Sequence, residues 1–296
     1  MESLTKQNIT LTLTAYVDRY ESQNKAARSL KNVSSATISQ MINGKWEQIT
    51  DDMWRNVAAQ IGYKNERWVA VETKSYRRLM ALLTDVQDNA LVMGVTSDAG
   101  TGKTFGCRQY TATHRQCYHL CCNEYWNRKL FLTELLVALG REATGYTVGE
   151  MMQDAVRTLK CQDHPMIILD EADKLTDQVL YFFITLYNQL EDECGIVLIA
   201  TSNLEVRIRR GIKLNRKGYQ EIWSRLGRKT VKLKGVSTAD ITAICEQNGI
   251  TDPREIDSVI GDSDADLRRV KRKIHAILKQ RESSREKTTP NAEESN

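Results

Sequence analysis

The stretch LVMGVTSDAGTGKTFG, residues 91–106, constrains this chain more than any other. A short apolar run, LVMGV, leads into a polar loop holding Gly100 and Gly102, and a helical pattern begins at Lys103-Thr104. In a strand–loop–helix of this kind the backbone amides of residues 99–104 converge at the positive end of a helix and form an anion cradle. Gly100 and Gly102 let the backbone approach phosphate oxygens with no Cβ in the way. Ala99, Gly100, Thr101, Gly102, Lys103 and Thr104 are therefore expected to bind the phosphates of ATP. Lys103 would meet the β- and γ-phosphates, and the Thr104 hydroxyl would ligate Mg²⁺. Ser97 stands where the strict phosphate-loop pattern has glycine.

The surrounding sequence supplies the other half of such a site. LVMGV, CYHLCC, MIILD and GIVLIAT are strand-like apolar runs that alternate with helical stretches, which predicts a parallel sheet covered by helices on both faces. MIILDEAD, 166–173, ends a buried strand on two adjacent carboxylates, which burial alone does not explain. Asp170 is expected in the Mg²⁺ shell, and Glu171 as the group that polarises a water for attack on the γ-phosphate. GIVLIATSN ends another strand on polar residues, and from a central position in the sheet Asn203 would orient that water. Further on, EIWSRLGRK carries Arg225 and Arg228, either of which could reach the γ-phosphate of a neighbouring subunit.

Composition narrows the class. With 41% apolar and 27% charged residues the chain has the balance of a soluble globular protein, and its net charge of +4 permits a polyanionic partner only if the basic residues cluster. No apolar run nears the roughly 18 residues that span a bilayer, and MESLTKQNIT lacks a signal-peptide layout, so no membrane association and a cytoplasmic location are expected. Seven cysteines fit that compartment as reduced thiols. Cys117, Cys121 and Cys122, with His114 and His119 nearby, invite a zinc reading. They lack paired CxxC spacing, however, and YHLCC alternates as a buried strand does, so ordinary packing is expected.

Four segments follow: 1–65, 66–235, 236–281, and a polar tail, 282–296, expected to be disordered. In the first, SQNKAARSLKNVSSATISQMINGKW reads as two short helices joined by a tight turn, with Ser34 or Ser35 capping the second and Asn43-Gly44 ending it. The pattern resembles the helix-turn-helix of phage repressors, in which the second helix enters the major groove of double-stranded DNA. On that resemblance the DNA-facing residues are Ser35, Thr37 and Gln40, beside Ala36 and Ser39, with Lys45 near the backbone. A second basic run, EVRIRRGIKLNRKGY, offers Arg207, Arg209, Arg210 and Lys213 as phosphate contacts.

GTGKT, ILDEAD, ATSN, the SRLGR segment and DADLRRVKRKI together resemble the AAA+ ATPase family over about residues 70–281. The resemblance implies the fold, an α/β parallel sheet of the P-loop AAA+ type with a small all-α lid. It also assigns Arg225 as arginine finger and Arg268 as the sensor arginine of the lid, although Ala265 replaces the family's glycine there. A repressor-like domain ahead of such a module resembles the target-DNA-selecting transposition ATPases of the phage Mu B type. What this implies is an ATP-dependent homo-oligomer, ring or helical filament, that binds DNA with little sequence preference and delivers it to a partner transposase. Hydrolysis would dissolve the assembly. The alternatives are a helicase-loading or replication-initiator ATPase, and a nucleotide-gated transcriptional regulator.

Overall fold

A computed structural model describes residues 3–63 and 68–288. The boundary expected at 65/66 and residues 289–296 lie outside them. The chain divides into two compact units, Met1–Trp68 with Gly140–Glu142, and Val69–Leu139 with Ala143–Asn296.

The first unit is all helical: α1 (Ser3–Val17), α2 (Gln23–Arg28), α3 (Ser35–Ile42) and α4 (Asp51–Gln60). Ser34 caps α3, its hydroxyl accepting from the Thr37 amide, and Thr50 caps α4 in the same way through Met53. Asn32, at φ 58°, makes the turn between α2 and α3. Ile9, Leu13, Ala27, Leu30, Ile38, Met41 and Trp54 close one core, with Trp46 edge-on to Trp54. This is a small bundle built from short helices, each held more by its neighbours than by its own length.

The second unit carries the expected parallel sheet. Its strands are β1 (Val92–Thr96), β2 (Cys117–Cys121), β3 (Met166–Asp170), β4 (Gly195–Ala200) and β5 (Thr230–Lys232), in the spatial order β2-β3-β4-β1-β5. The three residues of β5 are too short and too polar at Lys232 to announce a strand, and only pairing with Gly94–Thr96 defines them. Helices α5 (Lys74–Asp88) and α6 (Lys103–Thr113) cover one face of the sheet, packing on Met166, Ile168, Val197 and Ile199. The other face is covered by α7 (Arg128–Ala138), α8 (Val148–Lys160), α9 (Asp177–Leu190), α10 (Asn203–Lys213) and α11 (Tyr219–Arg225), around Ile167, Leu169, Ile196 and Leu198. Successive residues of β3 and β4 thus enter opposite cores, which is why both strands read as unbroken apolar runs.

Three further helices, α12 (Thr238–Gln247), α13 (Pro253–Ser263) and α14 (Leu267–Thr288), make up the region expected as a lid and cluster with the sheet rather than apart from it. Asp240 explains part of that attachment. It closes a capping box with Ser237 on α12 and accepts from the Lys74 amide at the start of α5. The last helix runs to Thr288, so residues 282–288 are helical where disorder is expected from composition. Arg281 anchors the helix just ahead of that stretch through the Gly249 carbonyl and Glu255. Among the described residues no helix is long and apolar enough to cross a membrane.

Candidate active site

The three parallel strands β1, β4 and β3 end side by side, and their C-terminal loops converge on the start of α6. Gly100 and Gly102 take φ of 76° and 89°, the left-handed backbone that turns the amides inward. Gly102 is the N-cap of α6, so Lys103 and Thr104 open that helix as expected. Ser97 is not among the residues with positive φ, so the loop tolerates a side chain at the usual glycine position. That buried side chain is used: the Ser97 hydroxyl bonds with Thr101, which also donates to the Asp98 carbonyl.

Lys103 folds back into the loop, donating to the carbonyls of Ser97 at 2.9 Å and Asp98 at 2.7 Å. Burial lowers its ammonium pKa, a shift that the negative charges of Asp170, Asp173 and Asp98 partly oppose. The ammonium is bonded to loop carbonyls, contacts that a phosphate can replace. Asp170 is 1% exposed at the end of β3. Burial pushes its carboxyl up, but hydrogen bonds from His119 and Thr104 outweigh this and hold it below the usual carboxylate range. Thr104 and an ionised Asp170 therefore already share one spot, an all-oxygen donor pair that suits Mg²⁺.

Glu171 follows in the left-handed region, at φ 56°, and its amide donates to Asp170 Oδ1 at 2.9 Å. Its carboxylate accepts from Lys174 at 2.5 Å and lies 3.8 Å from Cys121 Sγ. In this arrangement the Glu171 carboxylate is paired with Lys174. Just after the neighbouring strand β4, Thr201 donates to Asp173 Oδ2 at 2.6 Å, tying the loops that follow β3 and β4 together. Asn203 is exposed in the first turn of α10.

The lid touches the cradle directly. The Leu267 amide donates to the Gly100 carbonyl at 2.9 Å, and a Cβ on Gly100 would lie 2.3 Å from the Asp266 carboxyl. Asp264 and Ala265 turn this approach with φ of 50° and 56°, which accounts for the family's glycine at the position Ala265 occupies. Arg268 is exposed and near enough to Lys103 for its charge to depress that ammonium.

Two arginine expectations meet other surroundings. Arg225 Nη2 donates to Asn188 Oδ1 at 2.7 Å and its guanidinium stacks 5.2 Å from the Tyr187 ring, whereas Arg228, after Gly227, is exposed. Arg207 is not a free phosphate contact. It donates to the carbonyls of Leu175 (2.6 Å) and Asp173 (3.2 Å), to Tyr219 OH (3.1 Å), and to Asp177 (2.5 Å). One residue in the basic run is thus turned inward by helical geometry, since position 207 faces the loop after β3 and α11, beside buried Leu204 and Ile208. Arg209 pairs with Glu205 and lies over Trp223, while Arg210 and Lys213 are exposed in the last turn of α10.

In the first unit, Lys45 is exposed. Ser35, Thr37 and Gln40 are only half-buried but partly engaged, Thr37 with Ser34, Gln40 with Gln48, and the Ser35 carbonyl with Gln23. Asp173 and Thr201 carry no signal in the sequence, and His119 is named there only beside the cysteines; their types are common in loops and strands, and only the pairing of β2, β3 and β4 brings them to the cradle.

Sheet order, glycine cradle, Lys103, Thr104 and Asp170 have the arrangement of a P-loop nucleotide-binding fold. More narrowly, residues 86–208 match the family model described as AAA domain, which supports an ATPase of the AAA+ family and implies nucleotide hydrolysis. No curated protein matches the chain.

Proposed function

We propose that this chain is an ATP-dependent DNA-binding protein of the target-selecting transposition type, resembling the B protein of phage Mu. It assembles on duplex DNA in the ATP state, delivers that DNA to a partner transposase, and leaves when ATP is hydrolysed. The observation that carries the reading is the path of α10: its first residue is Asn203, and its last turn presents Arg210 and Lys213 to solvent. One rigid helix of 11 residues, about 16 Å long, therefore joins the γ-phosphate end of β4 to a basic surface.

Within the site, the amides of residues 99–104 and Lys103 would bind the phosphates, and Thr104 and Asp170 would hold Mg²⁺, whose charge would neutralise the phosphate oxygens. Asn203 would orient the attacking water and Glu171, once released from Lys174, would accept its proton. Arg268 reports the nucleotide to the lid. Arg225, or the more exposed Arg228, reaches a neighbouring copy. Arg210, Lys213 and Arg209 track the DNA backbone, and Lys45 with the start of α3 adds a second contact.

Electron microscopy with duplex DNA tests this, comparing ATP with ADP. Ordered assemblies are expected with ATP only, none with Lys103→Ala, and persistent ones with Glu171→Gln. A chain that stays monomeric and grips duplex equally with or without nucleotide would refute the proposal.

A further inference from the structure

Beneath α6 the sheet carries a cluster of which phosphate chemistry would use Asp170 alone. Cys107 on α6, His119 on β2 and Asp170 on β3 each offer a ligand atom, and these atoms all lie within 4.8 Å of one another. Cys107 is wholly buried, and the side chains of His119 and Asp170 are 10% and 1% exposed. His119 Nε2 lies 3.3 Å from Asp170 Oδ2. Ligands around a tetrahedral zinc stand about 3.3–3.6 Å apart, given bonds of roughly 2.0–2.3 Å. The imidazole and carboxylate already meet that spacing, and Cys107 Sγ lies within 4.8 Å of both. The parallel register explains the arrangement: His119 pairs with Ile168 and Cys121 with Asp170, so 119 and 170 share the face that α6 covers.

The donor set chooses the cation. One sulfur, one nitrogen and one oxygen suit a borderline-soft divalent ion, whereas Mg²⁺ takes oxygen donors. Access exists as well. Strand β2 is a sheet edge, and His119 lines a cavity of about 280 Å³ together with Cys121, Asn123 and Glu134.

We propose that Cys107, His119 and Asp170 form a binding site for a thiophilic divalent cation, of which Zn²⁺ is the natural fit, and that an occupied site withdraws Asp170 from the nucleotide. Binding forms bonds from Sγ, an imidazole nitrogen and a carboxylate oxygen to the metal; the thiol proton passes to solvent, and water fills the fourth position. An Asp170 carboxylate bound to this ion gives up negative charge to it and is held toward His119 rather than Thr104, so zinc inhibits the ATPase. Only this second half rests on the role given to Asp170 above.

Cobalt is the probe. The full chain, reduced and free of nucleotide, is titrated with Co²⁺ and the near-ultraviolet thiolate-to-cobalt band is followed. One equivalent should produce the band, Zn²⁺ should displace it, and Cys107→Ser should abolish it while Cys161→Ser, an exposed cysteine, keeps it. His119→Gln should weaken binding at least about tenfold, the loss that even outer partners of a metal command. That variant decides the matter if Cys107→Ser does not fold. In the second arm Zn²⁺ should suppress ATP hydrolysis by the wild type and spare Cys107→Ser. A missing band, or one that survives both Cys107→Ser and His119→Gln, overturns the site. A band of the expected kind in a chain with no ATPase activity at all leaves the metal site standing and overturns the nucleotide reading instead.

Discussion

Arg207 separates two readings of the basic run, and Arg207→Ala should expose the difference. If the side chain is a structural clamp, its loss removes donors to two backbone carbonyls, one carboxylate and one phenol. Hydrogen bonds to charged groups are each worth about 1.5–3 kcal/mol, but they are not additive in one network. The Asp177 side chain is 41% exposed, so its share is discounted for solvent, and Tyr219 still donates to it at 2.7 Å after the change. A net loss of about 3 kcal/mol is the working figure. With a urea slope of about 2–3 kcal/mol/M for a unit of this size, the midpoint should fall by about 1 M. The assay is urea unfolding of the full chain followed by near-ultraviolet circular dichroism, beside duplex-DNA affinity under native conditions. Arg207→Lys should recover little, because one ammonium cannot reproduce the planar fork. A midpoint that moves by less than about 0.2 M, accompanied by weaker DNA binding, would return Arg207 to the DNA surface and refute the clamp.

Gly100→Ala should weaken nucleotide binding at least about tenfold, since a left-handed alanine costs about 1–2 kcal/mol before its Cβ meets Asp266; titration with a fluorescent ATP analogue reads this, and an unchanged affinity would contradict the cradle geometry. Ala265→Gly should stabilise the protein by about 0.5–1 kcal/mol, because glycine accepts φ of 56° without strain; a lower melting temperature would mean that the turn is not strained. Burial raises the carboxyl pKa of Asp240, but bonds from Ser237 and Lys74 win and lower it, so its contribution is full above the unfolded carboxylate pKa and lost as pH falls through the depressed value. Asp240→Asn should cost about 1 kcal/mol at neutral pH and flatten the acid limb of stability between the two values; acid unfolding that keeps its wild-type slope would remove Asp240 from that role.

The cradle was legible because its chemistry is local. Gly100, Gly102, Lys103 and Thr104 are consecutive or nearly so, and the strand before them and the helix after them follow from apolar runs and periodicity. Asp170-Glu171 was legible for a related reason, as two charges end an otherwise apolar strand. The run 207–213 shows where such reading stops. Its composition announces positive charge, but whether a given arginine meets water, a ring or a buried carbonyl depends on which side of α10 it occupies and on what α11 and the loop after β3 place there. Likewise β5 exists only as a partner of β1, and α14 is anchored through Glu255 and Gly249. Cys107, His119 and Asp170 lie 12 and 51 residues apart in the chain, and only pairing of β2 with β3 under α6 gathers them. By itself the sequence determined which residues could bind a phosphate, because that needs one turn of backbone. Tertiary structure decided which charges are free and which distant donors meet, because those distances are set by packing between elements and not along the chain.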